Sequence, residues 1–554
     1  MKYTNTVNLS LLIVIISIPL QSRAAETTDS TNSLTWGFLD PPKAAKPSIY
    51  WLWLNGYVNR DHLQTELEQF SEKGIGGLCI FDMGARGDAT AAPPAGPAFM
   101  SDEFIENLAY TLELAGKFDL DVQLAACSSW DLGGSWVQPR HASMGLYHTK
   151  IRVKGPVDYD EMLPLPELPP DIPKTPDGKP AFLKNVAVLA IPEAIRQPAH
   201  EFIFELPGTD THRIDHVILY NSQRASDTKS SADNLNDGQK SGPDGTWLSA
   251  GAPPLVIGDR SKILNLTSQI NADGKLTWKV PPGEWTIIRF VCANTGEKLK
   301  VPSPNSDGLA TDHFNREATR AFIQYIIDRL KQNIGELKPT ALKQLYLPSY
   351  EVRGATWTED FIEQFTKYCH YDMTPYLPAL AGCVIENQDI TSRFLYDYRK
   401  MLGDLLVDAY YRTASETANM ASLGIEAEAG GPGPPVHQVP VDALKALGSI
   451  DEMRGEFWPW RQEPSQLWIV KETACAAHIY GRRRVHMEAF TGFRHWQDGP
   501  FDLKPSADRA FCEGMNHIVW HTSSHQPPEA GKPGWVYGAG THLTPNITWW
   551  AKAK

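Results

Sequence analysis

Carboxylates close most of the apolar runs in this 554-residue sequence. Asp82 ends GLCIFD, Glu351 ends LKQLYLPSYE, Glu426 and Glu428 lie in GIEAEAG, Glu456 in SIDEMRGEF and Glu488 in RRRVHMEAFT. His521 and His525 lie at and just beyond NHIVWHTSS. If these runs are strands of one sheet, their ends bring several acids to a single cavity. Like charges raise each other's pKa, so such a ring is costly unless it shares protons, binds a cation or meets a polyhydroxylated ligand. Glycoside hydrolysis needs such a set: one carboxylic acid to protonate the leaving oxygen and one carboxylate to activate water or attack directly. A carboxyl separation of about 5 Å goes with retention and about 6.5 to 9.5 Å with inversion, a distance that sequence does not supply.

Each position also admits a structural role. Glu351 can cap a following helix or pair with Arg353, and Arg454 can neutralise Glu456. Of Glu426 and Glu428, which share a strand face, one can be a ligand while the other is structural. Asp82 can brace the loop that follows it. His521 and His525 suit sugar hydroxyls or a catalytic carboxylate, but also a satisfied core. Asp307 and Asp312 stand where a β-rich stretch ends, and Asp442 reads first as a helix N-cap. Trp130 is one of 17 tryptophans, whose indole faces can cover the apolar face of a sugar ring, although an indole is more often core.

The elements that must position these residues follow from apolar patterning. IYWLWL, GLCIFD and VQLAAC alternate with helical stretches at 61–73 and 101–117. The pattern resumes at 342–351 and continues through 424–430, 449–457, 482–491 and 516–524, with helices over 312–333, 359–371 and 392–423 and a crossover helix in QLWIVKETACAAHIY. Nearly continuous apolar strands separated by amphipathic helices predict a parallel sheet, and eight of them predict a (β/α)8 barrel with its site at the C-terminal strand ends. Between the third and fourth strands, residues 135–306 carry short alternating strands such as KNVAVLAIPE, EFIFELPG, RIDHVILYN and KLTWKVPPGEWTIIRFVCAN. These predict an inserted antiparallel β-sandwich. KSSADNLNDGQKSGPDGTW reads as a flexible surface loop. The barrel thus divides into 25–134 and 307–554.

Composition narrows the partners. With 52 Lys+Arg against 65 Asp+Glu the net charge is −13, which excludes a general attraction to nucleic acid or anionic lipid. Residues 1–24 read as a secretory signal, with an apolar run from Leu9 to Leu20 and Ser22-Arg23-Ala24 before the cut, predicting a secreted or periplasmic protein without a membrane span. The seven cysteines are scattered, with no CxxC, and read as core thiols. There is no HExxH or Walker loop, and carboxylates with neutral oxygens make calcium chemically admissible.

WLWLNGYVNRDHL, GIGGLCIFDMG, CSSWDLGGSWVQP, the Glu351 segment, DEMRGEFW, KETACAAHIYGRRRVHMEAFT and KPSADRAFCEGMNHIVWHTSSHQP together resemble the successive blocks of glycoside hydrolase family 106, the alpha-L-rhamnosidases, from about residue 40 to about 530. The resemblance implies inverting hydrolysis of terminal alpha-L-rhamnosyl linkages in plant or algal polysaccharides or glycosides, with calcium assisting at the sugar. It makes Glu351 the general acid, Glu488 the base and Glu456 a third essential carboxylate, with acid and base interchangeable, and it assigns no calcium ligands. Asp82, Trp130, Glu428, His521 and His525 are the expected substrate contacts. Family members continue after the barrel into further β-sandwich domains, so this chain is expected to be a C-terminally truncated catalytic portion. A glycan-binding protein without turnover, and a glycosidase for another deoxy sugar or a uronic acid, remain the alternatives.

Overall fold

The computed structural model describes residue 35 and residues 37–86, 91–193, 196–197, 255–352, 354–431, 439–459 and 467–553. The signal-like segment lies outside the described residues, as do EFIFELPG, RIDHVILYN, the KSSADN loop and Arg353. Met1–Ala45 forms one unit, of which a 3-10 turn at Lys43–Ala45 is described. Lys46–Lys554 forms the other and contains the barrel, its helices and the insertion.

Eight parallel strands close a barrel in chain order: β1 (Ser48–Leu54), β2 (Gly77–Met83), β3 (Asp121–Ala125), β4 (Leu342–Leu347), β5 (Gly424–Ala427), β6 (Glu452–Phe457), β7 (His486–Ala489) and β8 (His517–Ser524), with β8 returning to β1. Each strand feeds both of its faces into a core, which explains the unbroken apolar runs. Period-two alternation sends Trp51 and Trp53 of β1 outward onto the helices, and Tyr50, Leu52 and Leu54 inward with Cys79, Phe81, Ala125 and Tyr346. By the same parity, Gln123, Glu426, Arg454, Glu456, His486 and Glu488 face the lumen, through the pairs Tyr346↔Glu426, Arg454↔His486 and Glu456↔Glu488.

The covering helices are α1 (Leu63–Glu72), α2 (Asp102–Lys117), α3 (Arg316–Ile334), α4 (Phe361–Cys369), α5 (Gln388–Leu405), α6 (Thr413–Asn419), α7 (Ala443–Gly448), α8 (Leu467–Ile479) and α9 (Pro500–Glu513). Their starts follow ordinary capping chemistry: Ser101, Asn315, Asn387 and Asp442 each accept a first-turn N–H. The single helix expected at 392–423 is α5 and α6 joined by a π-helical segment, Leu406–Arg412. The seven cysteines are free, and Cys475 on α8 and Cys512 on α9 are exposed rather than core.

The insertion contributes a four-stranded antiparallel sheet in the order 144–162, 275–294, 183–192, 264–265. One face has its own core of Val188, Leu276, Trp278, Trp285 and Ile287, and the other gives Ile288, Phe290 and Cys292 to the main core. EFIFELPG and RIDHVILYN, two of the strands expected in the sandwich, lie outside the described residues. A second small sheet joins 196–197, 255–257 and 383–385, the last of these contributed from beyond β4. The segment leaving the long strand at Asn294 then runs beside the ends of β2 and β3, where Gly84 N–H donates to Val301 O at 2.8 Å and Ser303 N–H to Ser128 Oγ at 2.9 Å, and it carries Lys300. No helix among the described residues is long and apolar enough to cross a membrane.

Candidate active site

The lumen holds two polar groups, one above the other. The deeper one is a closed ion-pair network. Arg454 donates to Glu426 Oε1 at 2.6 Å and to Gln123 Oε1 at 2.6 Å, His486 Nδ1 lies 2.8 Å from Glu426 Oε1, and Gln123 also donates to Glu426. The guanidinium sits 4.2 Å from the Tyr346 ring centre and 5.0 Å from that of Tyr50. Burial alone would raise the Glu426 carboxyl, but Arg454 and His486 prevail and hold it at about 2. Glu426 is therefore structural, and Arg454 pairs with it rather than with Glu456.

Two residues further along the same strand face, Glu428 meets the opposite environment. Glu428, Glu456 and Glu488 each offer an oxygen within 4.8 Å of the others. Tyr346 and Tyr50 donate to Glu428 Oε1 at 2.5 and 3.0 Å, Thr491 donates to Glu488, and the Trp458 indole donates to Glu456 Oε2 at 3.3 Å. Burial, then Glu488 and Glu456, push the Glu428 carboxyl well above the usual carboxylate range. This cluster stands at the C-terminal ends of β5, β6 and β7, where barrel sites form.

Glu351 lies beyond the end of β4 and outside that cluster. Lys300 Nζ donates to its Oε2 at 2.6 Å and to its carbonyl at 2.7 Å, Ser349 Oγ donates to Oε1 at 3.2 Å, and Asp131 Oδ1 accepts its backbone N–H at 2.7 Å. Tyr537 ties Glu351 to the cluster. Burial pushes this phenol up to about 12, Arg86 opposes the rise, and Glu351 and Glu488 both add to it. Both carboxylates thus act on the Tyr537 phenol, which lies near each of them.

Among the other expected contacts, His521 packs against Tyr50 and Trp130 against Tyr537. His521 packs its ring 5.3 Å from that of Tyr50, burial lowers its pKa, and Glu488 opposes that shift. Gly540 makes this possible: it adopts φ +118°, and a Cβ there would lie 3.0 Å from His521 Nδ1, so the returning segment can cover the ring. Trp130 is half-buried against Phe81 and Tyr537, with ring centres 5.6 and 6.0 Å away.

Asp82 and His525 take structural positions. Parity turns Asp82 away from the lumen, where Phe81 points inward. Burial pushes its carboxyl up to about 7 against the hydroxyls of Ser128 and Ser303, so it braces the loops after β2 and β3. His525 has both ring nitrogens engaged: Nε2 accepts from Asn59 N–H at 2.9 Å, and Nδ1 therefore donates to Glu66 Oε2 at 2.7 Å. It clasps β8 to the β1–α1 connection and has no nitrogen left for a ligand. Asp312 is likewise internal, accepting from Thr358 Oγ1 at 2.6 Å, and Asp307 pairs with Lys298 at 2.6 Å on the surface. Tyr50 and Tyr346 are lumen residues that the sequence reading leaves out, although strand parity places them there. Lys300 and Tyr537 lie in irregular segments with no sequence signal.

Fold and site together define a (β/α)8-barrel protein with a polar lumen and a carboxylate-lined mouth. The chain belongs to glycoside hydrolase family 106, described as alpha-L-rhamnosidase, whose family model matches residues 39–554. It is similar to the solved rhamnosidase of Novosphingobium sp. PP1Y, with 23% identity and a TM-score of 0.73 over 94% of this chain and 59% of that one. It is 29% identical over 555 residues to a curated Formosa agariphila protein that carries the provisional name beta-glucuronidase. That match covers 99% of this chain and 42% of the relative, so the chain spans about half the length of the proteins it resembles.

Proposed function

We propose that the chain is the catalytic portion of an exported, inverting alpha-L-rhamnosidase that removes terminal alpha-L-rhamnosyl residues from plant or algal polysaccharides or glycosides. The observation that carries this reading is the Glu428–Glu456–Glu488 cluster at the strand ends, with Glu351 beyond the end of β4 and Tyr537 near both Glu351 and Glu488. Glu351 protonates the glycosidic oxygen as the bond to the anomeric carbon breaks. Glu488 takes a proton from water as that water attacks the opposite face, so Glu351 ends ionised, Glu488 ends protonated and the product is the beta anomer. Trp130 and Tyr537 offer apolar ring faces to the sugar, and His521 offers a neutral imidazole.

A calcium ion fits the three-carboxylate cluster. Its donors are all hard oxygens, and Glu428 is driven toward its neutral form by burial and then by Glu488 and Glu456, a repulsion that a cation relieves. Glu428, Glu456 and Glu488 would hold the ion, which when bound supplies a positive charge that orients sugar hydroxyls.

Proton NMR of an aryl alpha-L-rhamnoside treated with the protein tests the reading. Rapid appearance of beta-L-rhamnose is expected, with Glu351→Gln and Glu488→Gln each lowering kcat on an alkyl rhamnoside by at least about a thousandfold. Chelation by EDTA should raise KM and lower the melting temperature, and added calcium should reverse both. Turnover that survives in both variants excludes the assignment.

A further inference from the structure

Lys300 has no counterpart among the strand-end residues, because it arrives from the inserted sheet. Its ammonium makes three contacts with the two segments that shape the acid side of the cavity: Glu351 Oε2 at 2.6 Å, Glu351 O at 2.7 Å and Asp131 Oδ2 at 3.4 Å. Asp131 completes the clamp by accepting the Glu351 N–H at 2.7 Å. Glu351 is thereby held at its amide, its carbonyl and its carboxylate. The side chains of Lys300 and Glu351 are 27% and 25% exposed, so solvent reaches the pair and screens part of its contribution to stability. Asp131, by contrast, is fully buried with φ +63°, a conformation uncommon for a residue with a side chain, and burial pushes its carboxyl up to about 7. A strained, buried acid beside a partly exposed lysine is expensive to build, and the residue on which both converge is Glu351.

We propose that Lys300 is a positioning residue for Glu351, aiming its carboxyl at the leaving oxygen, so that the insertion between β3 and β4 delivers a working part of the site. This rests on the reading of Glu351 as the general acid. The groups in contact with Glu351 among the described residues are Lys300, Asp131 and the Ser349 hydroxyl. Lys300 is the cation of that set. A group that only orients the acid matters in proportion to how much the leaving group needs its proton.

The test compares kcat on an alkyl alpha-L-rhamnoside, whose leaving group requires protonation, with kcat on 2,4-dinitrophenyl alpha-L-rhamnoside, whose leaving group does not. Lys300→Met is expected to lose about ten- to a hundredfold on the alkyl substrate and less than about threefold on the dinitrophenyl one, with KM for both nearly unchanged. Lys300→Arg should recover most of the alkyl rate. Equal losses on both substrates, or no loss on either, would overturn the proposal. If Lys300→Met does not fold, Lys300→Gln carries the same comparison. Glu351→Gln run alongside separates the two levels: should it fail to discriminate between leaving groups, the acid assignment falls, whereas discrimination by Glu351→Gln without any by Lys300→Met removes Lys300 alone.

Discussion

Glu426 and Glu428 stand two residues apart on one face of one strand, yet the first is held low by Arg454 and His486 and the second is driven up by burial and by Glu488 and Glu456. Arg454→Met leaves Glu426 buried with half its compensation gone, and should cost about 3 to 5 kcal/mol in urea unfolding. Glu428→Gln removes like-charge repulsion and should change stability by no more than about 1 kcal/mol, while weakening calcium binding measured by calorimetry. Both acids are legible in the sequence, because a charge at the end of an apolar strand stands out from the pattern. Their opposite roles are not, because their partners come from positions as far away as Gln123. Asp82 and His525 look like ligands for the same reason: residue type and strand-end placement are plain, whereas the face on which Asp82 lies depends on register and the commitment of both His525 nitrogens depends on distant partners. Lys300 has no pattern to betray it.

The elements are legible wherever burial imposes a period. All eight barrel strands follow from apolar runs and most of the helices from amphipathic spacing, since each must cover the sheet with one face. α9 hides behind Pro500 and Pro505, which read as punctuation, although Pro500 occupies the first turn, where its lacking N–H costs nothing, and the helix continues past Pro505. The π-helical join of α5 and α6 is invisible because it preserves the apolar content of a single long helix. Asp442 is an element-scale residue: its carboxylate accepts the Lys445 N–H at 3.2 Å and caps α7. Asp442→Ala should lower stability by about 1 kcal/mol and leave kcat unchanged, as read from urea midpoints and steady-state assays.

At the scale of the whole molecule, the buried ionisable groups fall into two sets of opposite sign. Burial lowers His313, His517 and His542 from 6.5 to about 3, so their unfolded forms take up protons first and stability is lost as pH falls from 6.5 toward 3. Burial raises Asp82, Asp131 and Asp312 from 3.8 to about 7, so their contribution is full below pH 3.8 and is lost as pH rises toward 7. Between about pH 4 and 6.5 the two sets oppose each other, with His148, lowered by burial to about 4, on the histidine side, so each set flattens the pH dependence that the other alone would give. His313→Gln should tilt the stability profile downward with rising pH and Asp312→Asn should tilt it upward, each by at most about 1.4 kcal/mol per pH unit. Urea midpoints at pH 4.5, 5.5 and 6.5 give the sign, whatever the absolute stability of each variant.

The clasp between β8 and β1 has a kinetic meaning as well. His525 on Asn59 and Glu66, and Thr522 Oγ1 on the Tyr50 carbonyl, join stretches of chain as much as 472 residues apart. Those bonds reward nothing until the intervening strands have already taken their places, so closing the ring belongs late on the folding route, and contacts of such long range make that route slow. His521 sits on the strand that completes the ring. A nascent molecule with seven strands formed would therefore still lack one wall of its lumen, and the sealing of the seam would coincide with the completion of the carboxylate-lined mouth.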